Sequence, residues 1–461
     1  MRLHLARFLY RFVLTCVLVI IPINLYLGFL QKQQGLAQRE PPWGRDFNRE
    51  RYAKSAVRKY SFARGNERGD AANVAAPPIP GTKSKFGSIE LLKHEKISNS
   101  LDIGPIWPEL DIYSDRIVTQ MRHMPNRTQY EKRKPDDAQK LKTILAWSGL
   151  RSMETGRRRF LTDNCPVNQC VLTSDRSKAG TADVILFNNY ISKPPGPRPA
   201  DQIWALYLLE SPYHTPSLSA QRSNVNWTCT YRRESTIVTP YEKFVLFNDS
   251  VNSRPLLKNY AAEKTKQVAW FVSNCGARNG RSNYAKELAK HIGVDVYGGC
   301  GPKKCPRHQA HKCFDLLNKQ YKFYLAFENS NCRDYITEKF FVNGLSHDVV
   351  PIVMGAHKID YERAAPRHSF IHVDDFESPQ HLAAYLHKLD KNDALYNEYF
   401  RWKGTGRFIN TYFWCRLCTM ANADDALKRR SYADIENWWR GPGVCNGKSR
   451  WTEATYGKMW S

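Results

Sequence analysis

From about residue 101 onward the chain alternates short apolar runs with polar stretches. Lys142–Trp147, Ala182–Phe187 and Gln202–Leu209 are rich in β-branched and aromatic side chains and predict buried strands. After a polar break at Asn252–Lys264 the rhythm is clearer. Gln267–Val272 predicts a strand, Arg281–His291 a helix, and Val294–Tyr297 and Phe323–Phe327 two further strands. Tyr335–Leu345 then predicts a helix, Val349–Met354 a strand ending at Gly355, Phe370–Val373 a strand and Pro379–Leu389 a helix. Strands alternating with helices imply right-handed βαβ units and parallel sheets. The pattern therefore predicts an α/β protein with two lobes, 101–253 and 254–405, and a C-terminal extension over 406–461. A cleft would lie between the lobes, and ligands of open α/β sheets sit beyond the carboxyl ends of the strands.

The N-terminal part has a different pattern. Phe12 to Leu30 carries no charged residue and, as a helix, reaches the lower end of what spans a hydrocarbon core of ~30 Å. Arg2, Arg7 and Arg11 precede it, which predicts a single-pass signal-anchor with residues 1–11 on the cytoplasmic side. A cleaved signal peptide is the alternative, although no clear small-x-small site follows at once. Residues 31–100 are polar and basic, with Pro41, Pro42, Pro77, Pro78 and Pro80, and read as a flexible stem.

Composition sharpens this picture. With 42% hydrophobic and 12% aromatic residues the chain is too apolar to be wholly disordered. A formal charge of +25 favours acidic partners such as phosphate-bearing ligands, anionic membranes or nucleic acid. Three sequons, at Asn126, Asn226 and Asn248, follow the apolar segment, as do eleven of the twelve cysteines. These features fit a luminal body anchored in a lipid membrane, with disulfides and at least one free thiol. They argue against nucleic acid as a partner.

The richest stretch for chemistry runs from Phe327-Glu328-Asn329-Ser330 to Thr337-Glu338-Lys339, at the end of an apolar strand and the opening of a helix. A helix N-terminus suits a pyrophosphate, and Lys339 adds a full charge. Glu328 or Glu338 would accept from a ribose or sugar hydroxyl, and Tyr335 would stack or donate. The plainer alternative is a surface turn capped by Thr337. Arg278 and Arg281 follow the Gln267–Val272 strand and have forked donors suited to a diphosphate, though a solvated basic surface explains Arg278 better. Glu210 projects from the end of the 202–209 strand and would serve as a general base, unless it is an ordinary solvated turn residue. Cys305, His308, His311 and Cys313 are metal-ligating types at a spacing unlike standard zinc sites, and no metal site is expected. Cys415-Arg416-Leu417-Cys418 lacks the context of a redox motif and reads as disulfide ends. The chain has no Walker loop, GxSxG or HExxH.

These motifs together resemble the α1,3-fucosyltransferases, a family of GT-B fold. The likeness is carried above all by FENSNCRDYITEKFF (Phe327–Phe341), with Ala269–Asn274, Val294–Gly298, Leu209–Thr215, Trp227–Arg233 and Ser369–Asp375, and spans roughly Lys142 to Gly443. Trp402–Gly406, Tyr412–Cys418 and Trp438–Gly443 resemble the invertebrate type that fucosylates the innermost GlcNAc of N-glycans. The resemblance implies two Rossmann-like lobes behind a transmembrane helix and stem, in the Golgi membrane as a single-pass type II protein. It implies GDP-fucose as donor, N-glycosylated glycoproteins as acceptors, and inverting transfer. Glu210 would be the base; Ser273, Asn274, Arg281, Tyr297, Glu328, Asn329, Tyr335, Glu338 and Lys339 would bind the donor, with Arg281 and Lys339 on the diphosphate. No cofactor would be obligatory, and a divalent cation (Mn or Mg) would at most stimulate. By the same analogy Cys415 and Cys418 would pair with Cys165 and Cys170. The alternatives are a Lewis or LacdiNAc-type enzyme acting on antennal GlcNAc, and a catalytically silent luminal glycan-binding protein.

Overall fold

The computed structural model describes residues 104–111, 114–125, 141–150, 154–192, 196–306, 309–423 and 426–452. All belong to one compact unit, Ile79–Ser461. The apolar segment 12–30, the stem, Asn126 and His308 lie outside the described residues. No helix among the described residues is long and apolar enough to cross a membrane.

Two parallel five-stranded sheets organise the unit. The N-terminal lobe comprises β1 (Lys142–Ala146), β2 (Cys170–Thr173), β3 (Val184–Asn188), β4 (Ile203–Leu208) and β5 (Trp227–Thr230), in the order β2-β1-β3-β4-β5. Register places Ile144 beside Val184, Val184 beside Ile203 and Ala205 beside Trp227. The C-terminal lobe comprises β7 (Lys266–Phe271), β8 (Val294–Tyr297), β9 (Tyr321–Phe327), β10 (Val350–Met354) and β11 (Ile371–His372), in the order β11-β10-β9-β7-β8. Its helices include α1 (Arg281–Leu288), α2 (Ala310–Gln320), α3 (Lys358–Ala364) and α4 (Pro379–Asp390). Between the sheets in sequence lies β6 (Lys243–Leu246), which pairs antiparallel with β12 (Gly406–Ile409). That ribbon is close-packed, since a Cβ on Gly406 would collide with the Val245 carbonyl.

The central strands are buried on both faces, so they read as continuous apolar runs. Every residue of β9 and of β10 is buried. β9 starts two residues before the expected Phe323 because Lys322, though charged, is itself buried. Its Nζ donates to the Asp390 carbonyl (2.6 Å) and pairs with the Asp390 carboxylate (3.0 Å) at the end of α4. Val268, Phe323, Ile352, Leu382 and Leu386 fill one side of this sheet, and Tyr324, Phe340 and Tyr361 the other.

The helix expected over Tyr335–Leu345 does not form as such. Only Glu338–Phe340 is α-helical, and Phe341–Leu345 is a π-turn. Asp334 adopts a left-handed conformation (φ 55°), and Cys332 and Tyr335 are drawn into the core of the other lobe, against Tyr231 and Trp439. Tertiary burial of Tyr335 thus overrides the helical pattern. β2 and β5 are additions to the expected strands. In β5 the polar Thr228 and Thr230 are fully buried because their hydroxyls meet Tyr432 Oη (2.8 Å) and Ser235 Oγ (2.6 Å).

The C-terminal extension folds back onto the first lobe. Helix α5 (Phe413–Asn422) carries both ends of the CxxC, which form disulfides Cys165–Cys415 and Cys170–Cys418. Helix α6 (Ile435–Arg440) inserts Ile435 and Trp439 into the N-terminal core. Arg416 is buried in α5; it donates to the Thr411 carbonyl (2.7 Å) and Gln120 Oε1 (3.2 Å), and burial pushes its pKa down to about 10. Cys229 on β5 is the free thiol among the described residues; burial pushes its pKa far up, so it is a poor nucleophile. Of the sequons, the Asn226 amide is spent on the Arg429 and Arg430 carbonyls (3.2 Å each), whereas Asn248 is exposed.

Candidate active site

Glu210 stands just beyond the end of β4, half-buried, on a chain fixed by Tyr241 Oη donating to the Leu209 carbonyl (2.8 Å). Three donors converge on one of its oxygens. Oε1 accepts from Tyr335 Oη (2.6 Å), Asn329 Nδ2 (3.1 Å) and the Ser211 amide (2.9 Å). Oε2 accepts no hydrogen bond from the described residues. Tyr335 and Asn329 belong to the other lobe, so the carboxylate is held from across the junction of the lobes. Burial, and after it Glu210, pushes the Tyr335 hydroxyl well above the usual tyrosine range, so it stays a donor.

The next residues bind the lobes together. Ser211 and Ser330, both buried, place their hydroxyls 2.8 Å apart. His214 Nδ1 lies 3.0 Å from Ser211 Oγ and 3.3 Å from Ser330 Oγ. Ser330 Oγ donates to Asn329 Oδ1 (3.0 Å), which turns the Asn329 amide nitrogen toward Glu210. Arg440 holds the loop from beneath, donating to the carbonyls of Pro212 (3.1 Å), Thr215 (2.5 Å) and Pro216 (2.6 Å). Asp334 accepts from the Arg233 amide (3.0 Å) and packs against Asp360, whose Oδ2 accepts from the Asp334 amide (3.1 Å). Burial, with Asp360 adding to it, raises the Asp334 pKa to about 7.

The cationic side of the site lies at the carboxyl ends of β7 and β9. Arg281 opens α1 and is buried; Nη1 donates to the Phe327 carbonyl (2.8 Å) and Nη2 to the Asn274 carbonyl (2.9 Å). Its buried Nε has no hydrogen-bond partner among the described residues. Asn279 ties the same ends, donating to the Glu328 carbonyl and Asn331 Oδ1 (3.0 Å each). Lys339 Nζ pairs with Glu328 (3.1 Å) and Glu338 (3.1 Å) and donates to Thr337 Oγ1 (2.9 Å). Burial opposes its charge, but the two glutamates outweigh burial and hold the Lys339 pKa above the ordinary value.

The structure gives several sequence candidates tasks other than those expected. Glu328 is fully buried, and accepts from the Thr337 amide (2.7 Å) and hydroxyl (2.9 Å). Its carboxylate thus caps the motif from inside, and burial raises its pKa. Gly355 (φ 154°) makes room for it, because a Cβ there would lie 2.7 Å from the Glu328 side chain. Tyr297 turns inward: its hydroxyl lies 2.7 Å from Tyr321 Oη, which donates to Asp295 (2.5 Å). Ser273 and Asn274 are exposed on the loop after β7, and the Cys275–Cys300 disulfide joins that loop to the one after β8. Arg278 is also exposed there. Cys305 and Cys313 form a disulfide beside α2, so the sulfur pair of the zinc-like spacing is otherwise engaged. No group of three or more His, Cys, Asp or Glu that could hold a metal ion occurs among the described residues. Sequence reasoning missed Ser211, Ser330, His214, Asn279 and Arg440. The signal was slight, since each works through a partner more than 40 residues distant.

The "Fucosyltransferase, N-terminal" family model matches residues 139–242, and the "Glycosyltransferase family 10 (fucosyltransferase) C-term" model matches 261–438. Glycoprotein 3-alpha-L-fucosyltransferase A of Drosophila melanogaster is 54% identical over 347 residues, covering 74% of this chain and 68% of the relative. The chain belongs to the family 10 fucosyltransferases. Alpha-(1,3)-fucosyltransferase 4 of Bos taurus is 31% identical over 425 residues, covering 82% of this chain and 99% of that protein. A crystal structure of an alpha1,3-fucosyltransferase with GDP aligns at TM-score 0.41 and 16% identity, over 64% of this chain and 94% of that one. In this fucosyltransferase the N-terminal family segment supplies Glu210, and the C-terminal one supplies Arg281, Asn329, Tyr335 and Lys339. The match ends at residue 438, before Trp439, Arg440 and the chain that follows them.

Proposed function

We propose that this fucosyltransferase transfers fucose from GDP-fucose, with inversion, to O3 of the innermost GlcNAc of N-glycans on glycoproteins. The reading is carried by Glu210, whose Oε1 is fixed by three donors while Oε2 accepts no hydrogen bond from the described residues. Oε2 would take the proton of the acceptor hydroxyl as its oxygen forms the bond to the fucose anomeric carbon. The bond from that carbon to GDP breaks on the opposite face, and the diphosphate leaves with the electron pair. Negative charge then grows on the phosphates, near Arg281, Lys339 and the amides at the start of α1. These cations supply the neutralisation, so a divalent ion (Mn or Mg) has the place of a stimulant rather than a requirement. The glycoprotein acceptor is favoured by the relative that is 54% identical.

The apolar segment 12–30 and the family resemblance support the location we propose: a GT-B enzyme held in the Golgi membrane by 12–30 and a stem over 31–100, its catalytic unit luminal. The five disulfides among the described residues suit an oxidising compartment. Mass spectrometry of defined N-glycopeptides incubated with GDP-fucose tests the reaction. One acceptor set carries only core GlcNAc and another only antennal GlcNAc, so fucose confined to the second would establish the Lewis or LacdiNAc-type activity. Glu210→Gln is expected to keep GDP binding and lose more than ~100-fold in transfer, the scale of a lost general base. Near-normal turnover would move the base elsewhere.

A further inference from the structure

The segment after α6 runs along the carboxyl ends of the C-terminal sheet. At β9, the Cys332–Cys445 disulfide is reinforced by the Arg333 amide donating to the Val444 carbonyl (2.9 Å) and the Asn446 amide donating to the Asn331 carbonyl (2.8 Å). Beyond β7, Lys448 lies over Gly280, the residue just before α1: a Cβ placed there would come 3.8 Å from Lys448 Cγ. At β10, Trp451 is buried and its Nε1 donates to the Gly355 carbonyl (2.8 Å). At β11, the Trp451 amide donates to Asp374 Oδ2 (3.4 Å), and Arg450 donates to the carbonyls of Phe376 and Glu377 (2.9 Å to the latter). One short strap therefore touches the loops that follow four of the five strands, on the side where an open α/β sheet binds its ligand.

We propose that Gly443–Trp451 forms a wall of the donor pocket and that Lys448 is a further cation for the nucleoside diphosphate. The proposal rests on the donor reading above and adds to it a segment outside the family match, which ends at residue 438. Arg450 is engaged in anchoring the strap, whereas Lys448 is exposed beside the mouth of the Arg281 loop and its ammonium bonds no described residue. The disulfide and the buried indole fix the backbone on either side of it. Its side chain passes over the residue that precedes the α1 N-terminus. Trp451 acts as a positioning residue.

Calorimetry of GDP binding to the full chain tests this. Lys448→Ala is expected to weaken GDP about tenfold, the effect of one charge-assisted hydrogen bond. Lys448→Arg should restore most of it, and the salt dependence of binding should be shallower in the alanine variant. Trp451→Ala should weaken GDP while the acceptor KM stays within twofold, with thermal melting to show that the unit remains folded. GDP binding by the wild type that is unchanged in Lys448→Ala overturns the proposal and leaves the donor reading standing. Failure of the wild type to bind GDP ends both.

Discussion

Tyr335→Phe separates two tasks for one hydroxyl. The resemblance places Tyr335 in the donor site, whereas its hydroxyl donates to Glu210 Oε1 at 2.6 Å, the shortest of the three bonds there. The ring is buried against Tyr231, with centroids 5.1 Å apart, and phenylalanine keeps that packing. The change therefore removes a donor and little else. A hydrogen bond to a charged group contributes about 1.5–3 kcal/mol. Asn329 Nδ2 and the Ser211 amide still hold the same oxygen, so the lower end applies, roughly tenfold in rate at 1.4 kcal/mol per decade. Steady-state kinetics with both substrates varied should give a fall in kcat of about tenfold or more, with the GDP-fucose KM within twofold. The same variant should bind GDP as the wild type does. A raised donor KM with kcat unchanged would refute the positioning argument and return Tyr335 to the donor.

Two further outcomes follow from the charged groups. Lys339→Ala should raise the GDP-fucose KM or lower kcat. It should also destabilise the unit by about 3 kcal/mol in chemical denaturation, because it leaves the buried Glu328 without its ion-pair partner; equal stability and an unchanged donor response would contradict the assignment. Burial raises the folded Asp334 pKa from the ordinary carboxylate range to about 7, so its contribution is fully present below about pH 4 and is lost as pH rises to 7. Relative to Asp334→Asn, wild-type stability should therefore fall by up to ~1.4 kcal/mol per pH unit across that window and level off above it. Urea titrations from pH 4 to 8 that show a constant difference would reject the buried-acid description.

The parallel strands were legible because burial on two faces leaves an unbroken apolar run, as in β4, β7 and β10. β5 escaped notice since its threonines find their hydroxyl partners in distant segments, Tyr432 among them. The ribbon of β6 and β12 is half-buried along both strands and has no alternation to read. At the site, the same logic of strand ends located Glu210, Glu328 and Arg281, which the structure gathers at the junction of the lobes. Their partners were a different matter. Nothing local in the sequence couples Ser211 to Ser330 or Cys332 to Cys445, and nothing local turns Tyr297 inward toward Tyr321. Around Tyr335 the hydrophobic neighbours repeat with helical spacing, but its own ring is claimed by the other lobe, so no helix starts there.

The two bridges from α5 span 250 and 248 residues. A ribosome adding roughly 5–20 residues per second needs some tens of seconds to make that much chain. Throughout that interval Cys165 and Cys170 exist without their mates, five positions apart and free to join each other. The first lobe to be synthesised is thus among the last to be finished, and a chain cut short near its end leaves unsealed the half that was made first.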